Sequence, residues 1–268
     1  MSARRVLVAA ALVAISLVGG SASAHTPFVK PLDFYPDTNT IYAEAAYSTN
    51  IFLPVVGVPA PTLQLIAPDG QARPIRQISV ESYLTTVEGA LPQPGTYRFS
   101  TGELYGEPTA MVFDHGDWRA VRPGEHVSRR ARTSSMRIVA LAESYVTRGT
   151  PTRAAVDLSI GRLAIHPISH PNQITVASGF DVELRFDGAV FGHMPFVIYE
   201  PTQSEDDMRR VFVTDDQGRA HLSFDHPGTY LAVVRYRPHA PMGEGVAVLS
   251  YSTSLTFAVY ASANAPPH

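Results

Sequence analysis

The sequence contains no cysteine, although its first residues indicate export to a compartment where disulfides form. This absence excludes disulfide bridges, thiolate zinc sites, cysteine nucleophiles and a lipid-modified amino-terminal cysteine. The fold must therefore be held together by packing and hydrogen bonding alone.

An excess of positive charge is also missing. The chain has 21 Lys and Arg residues against 24 Asp and Glu, and only Lys30 is a lysine. Without Arg4 and Arg5, which precede the expected cleavage site, 19 basic residues face 24 acidic ones and the formal charge falls from -3 to -5. Nucleic-acid binding needs a basic surface, so this balance argues against a nucleic-acid partner.

The one long apolar run, Val6 to Val18, has about 13 residues, whereas a membrane-spanning helix needs roughly 20. Two arginines precede this run, and small residues follow it up to Ala24. These features are typical of a secretory signal peptide over residues 1–24, with cleavage after Ala22 as an alternative. We therefore expect a periplasmic mature chain that begins at His25 and does not insert into a membrane.

Sustained helical periodicity is absent after the signal, so no helix is predicted. Short runs rich in Val, Ile, Thr, Tyr and Phe alternate with turns that draw on 22 prolines and 19 glycines, which favours an all-β fold. The predicted strands are Ile41 to Tyr47, Thr62 to Ala67, Gly95 to Thr101, Arg137 to Val146, Asp181 to Phe186, Ala220 to Phe224, Thr229 to Arg235 and Ser252 to Tyr260.

An internal echo predicts two tandem immunoglobulin-like β-sandwich domains. Each half has an Asp/Gly turn and then a Pro-Gly corner that leads into a tyrosine: "LIAPDG" and "QPGTYRFS", then "TDDQGRAHLSFDHPGTYL". In immunoglobulin-like sandwiches such a tyrosine, here Tyr97 or Tyr230, closes the corner by hydrogen-bonding to nearby backbone. The predicted domains are residues 25–152 and 153–262, followed by a loose tail at 263–268.

His25 is the strongest candidate for binding chemistry. As a free amino terminus it would offer its α-amine nitrogen and its imidazole nitrogen to one metal ion. Nitrogen donors favour nickel, copper and zinc. The alternative is that His25 is only the residue that the peptidase leaves at the terminus.

A second metal ligand is expected from His115 or His170. His115 lies at a glycine turn in "FDHGDW", where the alternative is an ordinary polar hairpin. His170, in "HPISHPN", precedes a loop and could meet His25 across the domain junction. His166 is four residues from His170, about 13 Å along a strand, so these two cannot chelate one ion together. The acidic segment 203–207, "QSEDD", lacks the pattern of a calcium loop and is expected to be solvated.

Signatures of the common enzyme classes are missing. The sequence has no G-x-S-x-G, no H-E-x-x-H, no phosphate loop and no dinucleotide fingerprint. We therefore expect a protein that is not an enzyme.

A series of motifs is similar to one family. In order they are "YSTNIF", "LIAPDG", "QPGTYRFS", "HGDWRAVRPGE", "ESYVTRGTPT", "IGRLAIHPISHPNQI", "VELRFDG", "TDDQGRAHLSFDHPGTYL" and "SYSTSLTF". They closely resemble proteins with domain of unknown function 4198 over nearly the whole mature chain, and "HPNQI" and "SYSTSLTF" are the most distinctive.

The resemblance implies an exported bacterial protein with immunoglobulin-like β domains. It also implies a role in acquiring nickel, cobalt or another transition metal together with membrane uptake proteins. Related nickel-uptake proteins are expected to bind through an amino-terminal histidine with a second histidine close by. Here the match extends to His25 only, because Thr26 and Pro27 supply no such partner.

Three functions stay open at this level. The first is a periplasmic binding or accessory protein that captures a divalent nickel, cobalt or copper ion, or its complex, through His25. The second is a copper-dependent oxidative enzyme with a terminal-histidine site, which would need a second histidine and an axial aromatic residue. The third is a structural or adhesive protein in which His25 is incidental.

Overall fold

The structure, a computed structural model, describes residues 25–262. The expected signal peptide and the expected tail, residues 1–24 and 263–268, lie outside the described residues. Within them the chain forms twenty strands and one short 3-10 turn, Ala60–Thr62. No helix in this part of the chain has the length and apolarity needed to cross a bilayer.

The twenty strands are numbered in chain order. In chain order they are β1 (Thr26–Pro31), β2 (Thr40–Ser48), β3 (Val56–Gly57), β4 (Gln64–Ile66), β5 (Ala72–Arg73), β6 (Ile75–Val80), β7 (Thr85–Ala90), β8 (Gly95–Ser100), β9 (Leu104–Tyr105), β10 (Thr109–Asp114), β11 (Asp117–Ala120), β12 (Thr133–Arg148), β13 (Leu163–Pro167), β14 (Phe180–Phe186), β15 (Ala189–Val190), β16 (Pro195–Tyr199), β17 (Val211–Val213), β18 (Arg219–Leu222), β19 (Gly228–Tyr236) and β20 (Val248–Val259).

These strands form three sheets. The front sheet has the order β1-β2-β7-β6, with β3 also paired to β2. The middle sheet runs β17-β16-β19-β20-β12-β8-β4-β5, and the short strands β9 and β10 pair with β12. The back sheet has the order β13-β14-β15, with β18 also paired to β14.

The middle sheet supplies one wall to each of two hydrophobic cores. Successive side chains of a strand point to opposite faces, and β12 uses both. Ala140, Ala142 and Val146 belong to the core shared with the front sheet, whereas Val139 and Tyr145 belong to the core shared with the back sheet. The molecule is thus a pair of β-sandwiches, which confirms the predicted all-β fold.

The tyrosine corners are present in both halves. The Tyr97 hydroxyl donates to the Gln93 carbonyl over 2.8 Å, and the Tyr230 hydroxyl donates to the His226 carbonyl over 2.8 Å. In each corner the acceptor is the backbone four residues earlier, so an imidazole at His226 is not required for the corner. These contacts confirm the immunoglobulin-like corners that the sequence predicts.

The two sandwiches are joined more closely than a tandem arrangement requires. Strands β12 and β20 pair in parallel from Met136 opposite Val248 to Ser144 opposite Thr256, so the middle sheet runs through both sandwiches. A third cluster also crosses between the halves. It contains Phe28, Ala46, Ile51, Phe52, Val197, Tyr199, Leu231 and Val233.

Strand β1 lies over the junction of β12 and β20, and its neighbours on β20 are small. Ser250, Ser252, Ser254 and Thr256 occupy the alternate positions of β20 that do not enter the back core, and all four are buried. The Ser254 hydroxyl donates to the Pro27 carbonyl over 2.6 Å. The distinctive "SYSTSLTF" segment therefore alternates large residues for one core with small hydroxyl residues that let β1 approach.

A buried ion pair fixes the segment that connects the sandwiches. Arg98 donates to the Glu143 carboxylate over 2.5 Å, and both side chains are almost wholly buried, at 2% and 1% exposed. Arg98 also donates to the Leu158 carbonyl over 2.6 Å. The connection between β12 and β13, residues 149–162, which contains the predicted domain boundary at 152/153, is thereby tied to the first sandwich.

Candidate functional site

His25 lies at the mouth of a cleft of about 560 Å³. It directly precedes β1 and is half-buried. The cleft opens between the front and middle sheets, where the short strands β3 and β9 leave the first sandwich uncovered. It is lined by His25, Tyr47, Val56, Gly57, Pro59, Thr62, Glu103, Leu104, Tyr105, Gly106 and Ile138. Its size is in the range of cavities that hold small ligands.

The residue after His25 is held by polar contacts from the second sandwich. The Thr26 hydroxyl donates to Glu205 Oε2 over 2.8 Å and accepts a hydrogen bond from Arg235 over 2.7 Å. Thr26 itself is fully buried. Since Pro27 favours an extended backbone at Thr26, His25 leads directly into β1 and is held in place through Thr26.

Glu205 is the residue of this site that sequence reasoning missed. It belongs to the acidic segment 203–207, which the sequence predicts to be a solvated loop. Instead its side chain is only 11% exposed, and burial raises the pKa of Glu205 against the opposing effects of Thr26, Arg235 and His25. The only sequence signal was the run of three acids, which does not single out Glu205.

The opposite wall of the cleft carries a tyrosine–carboxylate pair. The Tyr105 hydroxyl donates to Glu103 Oε2 over 2.8 Å, and Glu103 Oε1 accepts from the Arg162 backbone N–H over 2.6 Å. Desolvation and then the bond to Glu103 raise the pKa of Tyr105 to about 12. Burial raises the pKa of Tyr47 to about 12 as well. Both phenols therefore stay protonated at neutral pH and act as neutral polar groups.

His115 is far from this cleft. It lies at the tip of the β10–β11 hairpin with a positive φ of 49° and a side chain that is 96% exposed. Its Nε2 lies 3.6 Å from the carboxylate of the neighbouring Asp114. Since β10 leaves β12 at Val112, the hairpin tip extends away from Ile138 and the cleft. The structure thus matches the alternative reading of "FDHGDW" as a polar hairpin turn.

His170 is held within a network of structural hydrogen bonds. Its Nε2 lies 3.0 Å from the Thr96 hydroxyl and 3.2 Å from the Thr152 carbonyl, and its Nδ1 accepts from the Asn172 backbone N–H over 3.2 Å. Burial lowers the pKa of His170. The Nε2 atom therefore contacts both the first sandwich and the connecting segment, whereas Nδ1 closes a turn within the loop of His170 itself.

The expected meeting of His25 with His170 does not occur. His170 contacts Thr96, and Thr96 is hydrogen-bonded to Thr147 near one end of β12. His25 lines the cleft together with Ile138, which lies nearer the other end of β12. Thr147 and Ile138 are nine positions apart on β12, about 30 Å at 3.3 Å per residue. Among residues 25–262 no three His, Asp or Glu side chains converge in a group able to hold a metal ion.

Comparison of the sequence with known protein families gives a match over most of the chain. Residues 22–238 match the family described as "Domain of unknown function (DUF4198)". The chain belongs to the DUF4198 family. No curated protein matches the sequence of this DUF4198 chain.

Two solved structures are similar to this DUF4198 chain at a low level. One is the D0-D1 domain of Intimin, at 13% identity and a TM-score of 0.21, covering 85% of this chain and 96% of that one. The other is the I9-I11 tandem from titin, at 10% identity and a TM-score of 0.16, covering 85% and 100%. TM-scores this low support no conclusion about the DUF4198 chain.

Proposed function

We propose that this chain is an exported, non-enzymatic binding protein that takes a divalent transition metal, carried in an organic complex, into the cleft beside His25. The observation that supports the proposal is the position of His25 at the mouth of a cleft large enough for a small ligand. The periplasm is the proposed compartment, and membrane uptake proteins for the metal are the proposed partners.

The donor groups of the cleft favour a complex over a bare ion. A terminal His25 would contribute an imidazole nitrogen and an amine nitrogen, which suit nickel, cobalt or copper. Two polar side chains of the opposite wall, Glu103 and Tyr105, are bonded to each other, and Glu103 also accepts from the Arg162 backbone N–H. The remaining coordination positions would be filled by ligands that the metal brings with it.

The walls of the cleft suit the organic part of such a complex. Val56, Leu104 and Ile138 offer apolar contact, and Tyr47 and Tyr105 offer aromatic rings with protonated hydroxyls. Ligand sites commonly combine an apolar lining with a few placed polar groups. The complex would be held by contact with the walls and oriented by one bond from His25 to the metal.

The test compares chains that differ only at the terminus. Calorimetric titration with nickel, cobalt and copper, each free and as a citrate or histidine complex, is performed on protein that begins at His25. The same titration is performed on protein with one alanine before His25, on His25→Ala, and on His115→Ala as a matched exposed-histidine control. We expect tight binding of a complex by wild type and His115→Ala, and at least tenfold weaker binding by the other two.

Equal binding by all four proteins would contradict the proposal, because the metal would then not depend on His25. Binding of no metal and no complex by the wild type would contradict it equally. A third outcome is that the chain with the added alanine still binds whereas His25→Ala does not. The imidazole of His25 would then be a ligand of the metal and the α-amine would not.

One observation favours the oxidative enzyme as a second candidate. Tyr47 and Tyr105 line the same cleft as His25, and terminal-histidine copper sites use an aromatic residue near the metal. The second histidine that such a site needs is not supplied by His115 or His170. Copper-dependent oxidation of a polysaccharide with added reductant would support this candidate, and its loss in His25→Ala would assign it to the cleft.

A further inference from the structure

A second surface of the molecule carries a strong local charge. Residues 121–132 form a loop, here called the arginine loop, that connects β11 to β12. The Val121 N–H donates to the Ala110 carbonyl over 2.9 Å, and the Phe113 N–H donates to the Arg132 carbonyl over 2.9 Å. The two ends of the loop are therefore anchored three residues apart on one strand. Compact loops with close ends are frequently functional.

The only carboxylate of the arginine loop is already neutralised. Glu125 accepts two hydrogen bonds from the Arg119 guanidinium, over 2.6 and 2.9 Å, and a third from the Arg122 backbone N–H over 2.9 Å. These bonds lower the pKa of Glu125 to about 2, so it stays ionised and paired. Arg119, on β11, is further bonded to Asp114.

Four arginines of the loop are left without such a partner. Arg122, Arg129, Arg130 and Arg132 are exposed, and within residues 25–262 none of them forms an ion pair. Arg132 lies over the Phe113 ring at 4.3 Å from its centroid, and Phe113 packs edge-on against Trp118. The loop thus presents four arginines without a carboxylate partner, and one of them, Arg132, is supported by an aromatic ring.

The rest of the molecule has the opposite charge. From His25 onward the chain has 19 basic and 24 acidic residues, a balance of -5. Without the four arginines and Glu125 of the loop the balance is 15 against 23, or -8. An anionic surface would therefore repel most of the protein and attract the arginine loop, which fixes the orientation of approach.

We propose that the arginine loop docks the protein onto an anionic phospholipid surface. Guanidinium groups bind phosphate oxygens through paired hydrogen bonds. A lipid surface offers many phosphates in one plane, which suits four exposed arginines on one loop. The expected export of the chain also brings it beside membranes. The docking is independent of the cleft and of metal binding.

The test uses the His25-initiated chain and vesicles. Partitioning onto vesicles of phosphatidylcholine with equal parts phosphatidylglycerol is compared with partitioning onto phosphatidylcholine alone, at low and at high salt. The loop variant is R122Q/R129Q/R130Q, which leaves Arg132 packed on Phe113. The control variant is R73Q/R76Q/R209Q, which removes the same charge from exposed arginines that are paired with Asp69, Glu88 and Asp207.

We expect wild type and the control variant to bind the anionic vesicles at low salt, and high salt to release both. The loop variant should bind about a hundredfold more weakly, at roughly fivefold for each arginine near the surface. Absence of wild-type binding would overturn the proposal. Equal losses in both variants would also overturn it, since net charge alone would then explain binding. Binding to heparin but not to vesicles would overturn the assignment to lipid.

Discussion

Thr26 and Glu205 are 179 residues apart in the chain, yet the Thr26 hydroxyl donates to the Glu205 carboxylate over 2.8 Å. This contact joins the strand that positions His25 to a loop of the second sandwich. Arg235 completes it by donating to Thr26. The cleft residue His25 is therefore placed by both halves of the molecule, and substitution of Glu205 should affect the position of His25.

The raised pKa of Glu205 predicts that the stability of the fold depends on pH. Burial raises its folded-state pKa above the unfolded value, so its protonation favours the folded state. That contribution is fully present below the unfolded pKa and is lost as the pH rises through the folded pKa. Relative to Glu205→Gln, wild type should therefore lose stability between acidic and neutral pH. Urea unfolding of both proteins at pH 4.5 and pH 7 measures the difference, and a difference that is independent of pH would contradict it.

Removal of the Thr26 hydroxyl should destabilise the fold. Thr26→Val keeps the size of the side chain but leaves a buried carboxylate and a guanidinium each without one partner. Unsatisfied buried polar groups cost about 1–3 kcal/mol. Urea unfolding should show a loss in this range. A loss below about 0.5 kcal/mol would show that water replaces the hydroxyl at no cost.

Substitutions of Arg98 and Glu143 should have non-additive effects on the free energy of unfolding. Arg98→Met or Glu143→Leu alone leaves a buried charge without its partner, which costs about 3–5 kcal/mol. The double variant removes both charges and should recover most of that loss. A double-mutant cycle by urea unfolding measures the coupling, and additive losses would show that the two side chains act independently.

Substitution of His170 should change the stability of the fold but not metal binding. His170→Ala removes the contacts of Nε2 with Thr96 and Thr152 and a local bond from the Asn172 N–H, and should cost about 1–3 kcal/mol. Because burial lowers the folded-state pKa of His170, its stabilising contribution is present above the unfolded pKa and is lost as the pH falls through the folded pKa. Metal titration of the variant at neutral pH should match wild type, and weakened binding with unchanged stability would contradict this assignment.

Local pattern predicted most of the elements but not their assembly. The Pro-Gly-x-Tyr segments correctly predicted both tyrosine corners, because the acceptor of each lies only four residues away. The parallel pairing of β12 with β20 joins segments more than 100 residues apart, and no local pattern encodes it. The alternating Ser and Thr residues of β20 are explained by the packing of β1 against them, which the sequence alone does not show.

The candidate site could be predicted only in part for the same reason. His25 was predicted from the signal peptide, which is a local pattern. The role of His170 depends on Thr96, which is 74 residues away, and that of Glu205 depends on Thr26. The sequence alone shows that these side chains can bind a metal ion or a proton. It does not show which polar groups of the folded protein are already hydrogen-bonded to them.

The most direct test of the central claim is paramagnetic broadening. A copper or cobalt complex is added to isotopically labelled protein that begins at His25, and the nuclear magnetic resonance signals are followed residue by residue. The account predicts selective broadening of Val56, Leu104 and Ile138, which line the cleft, and none around His115 or His170. Broadening centred on His115 or His170, with the cleft signals unchanged, would contradict it.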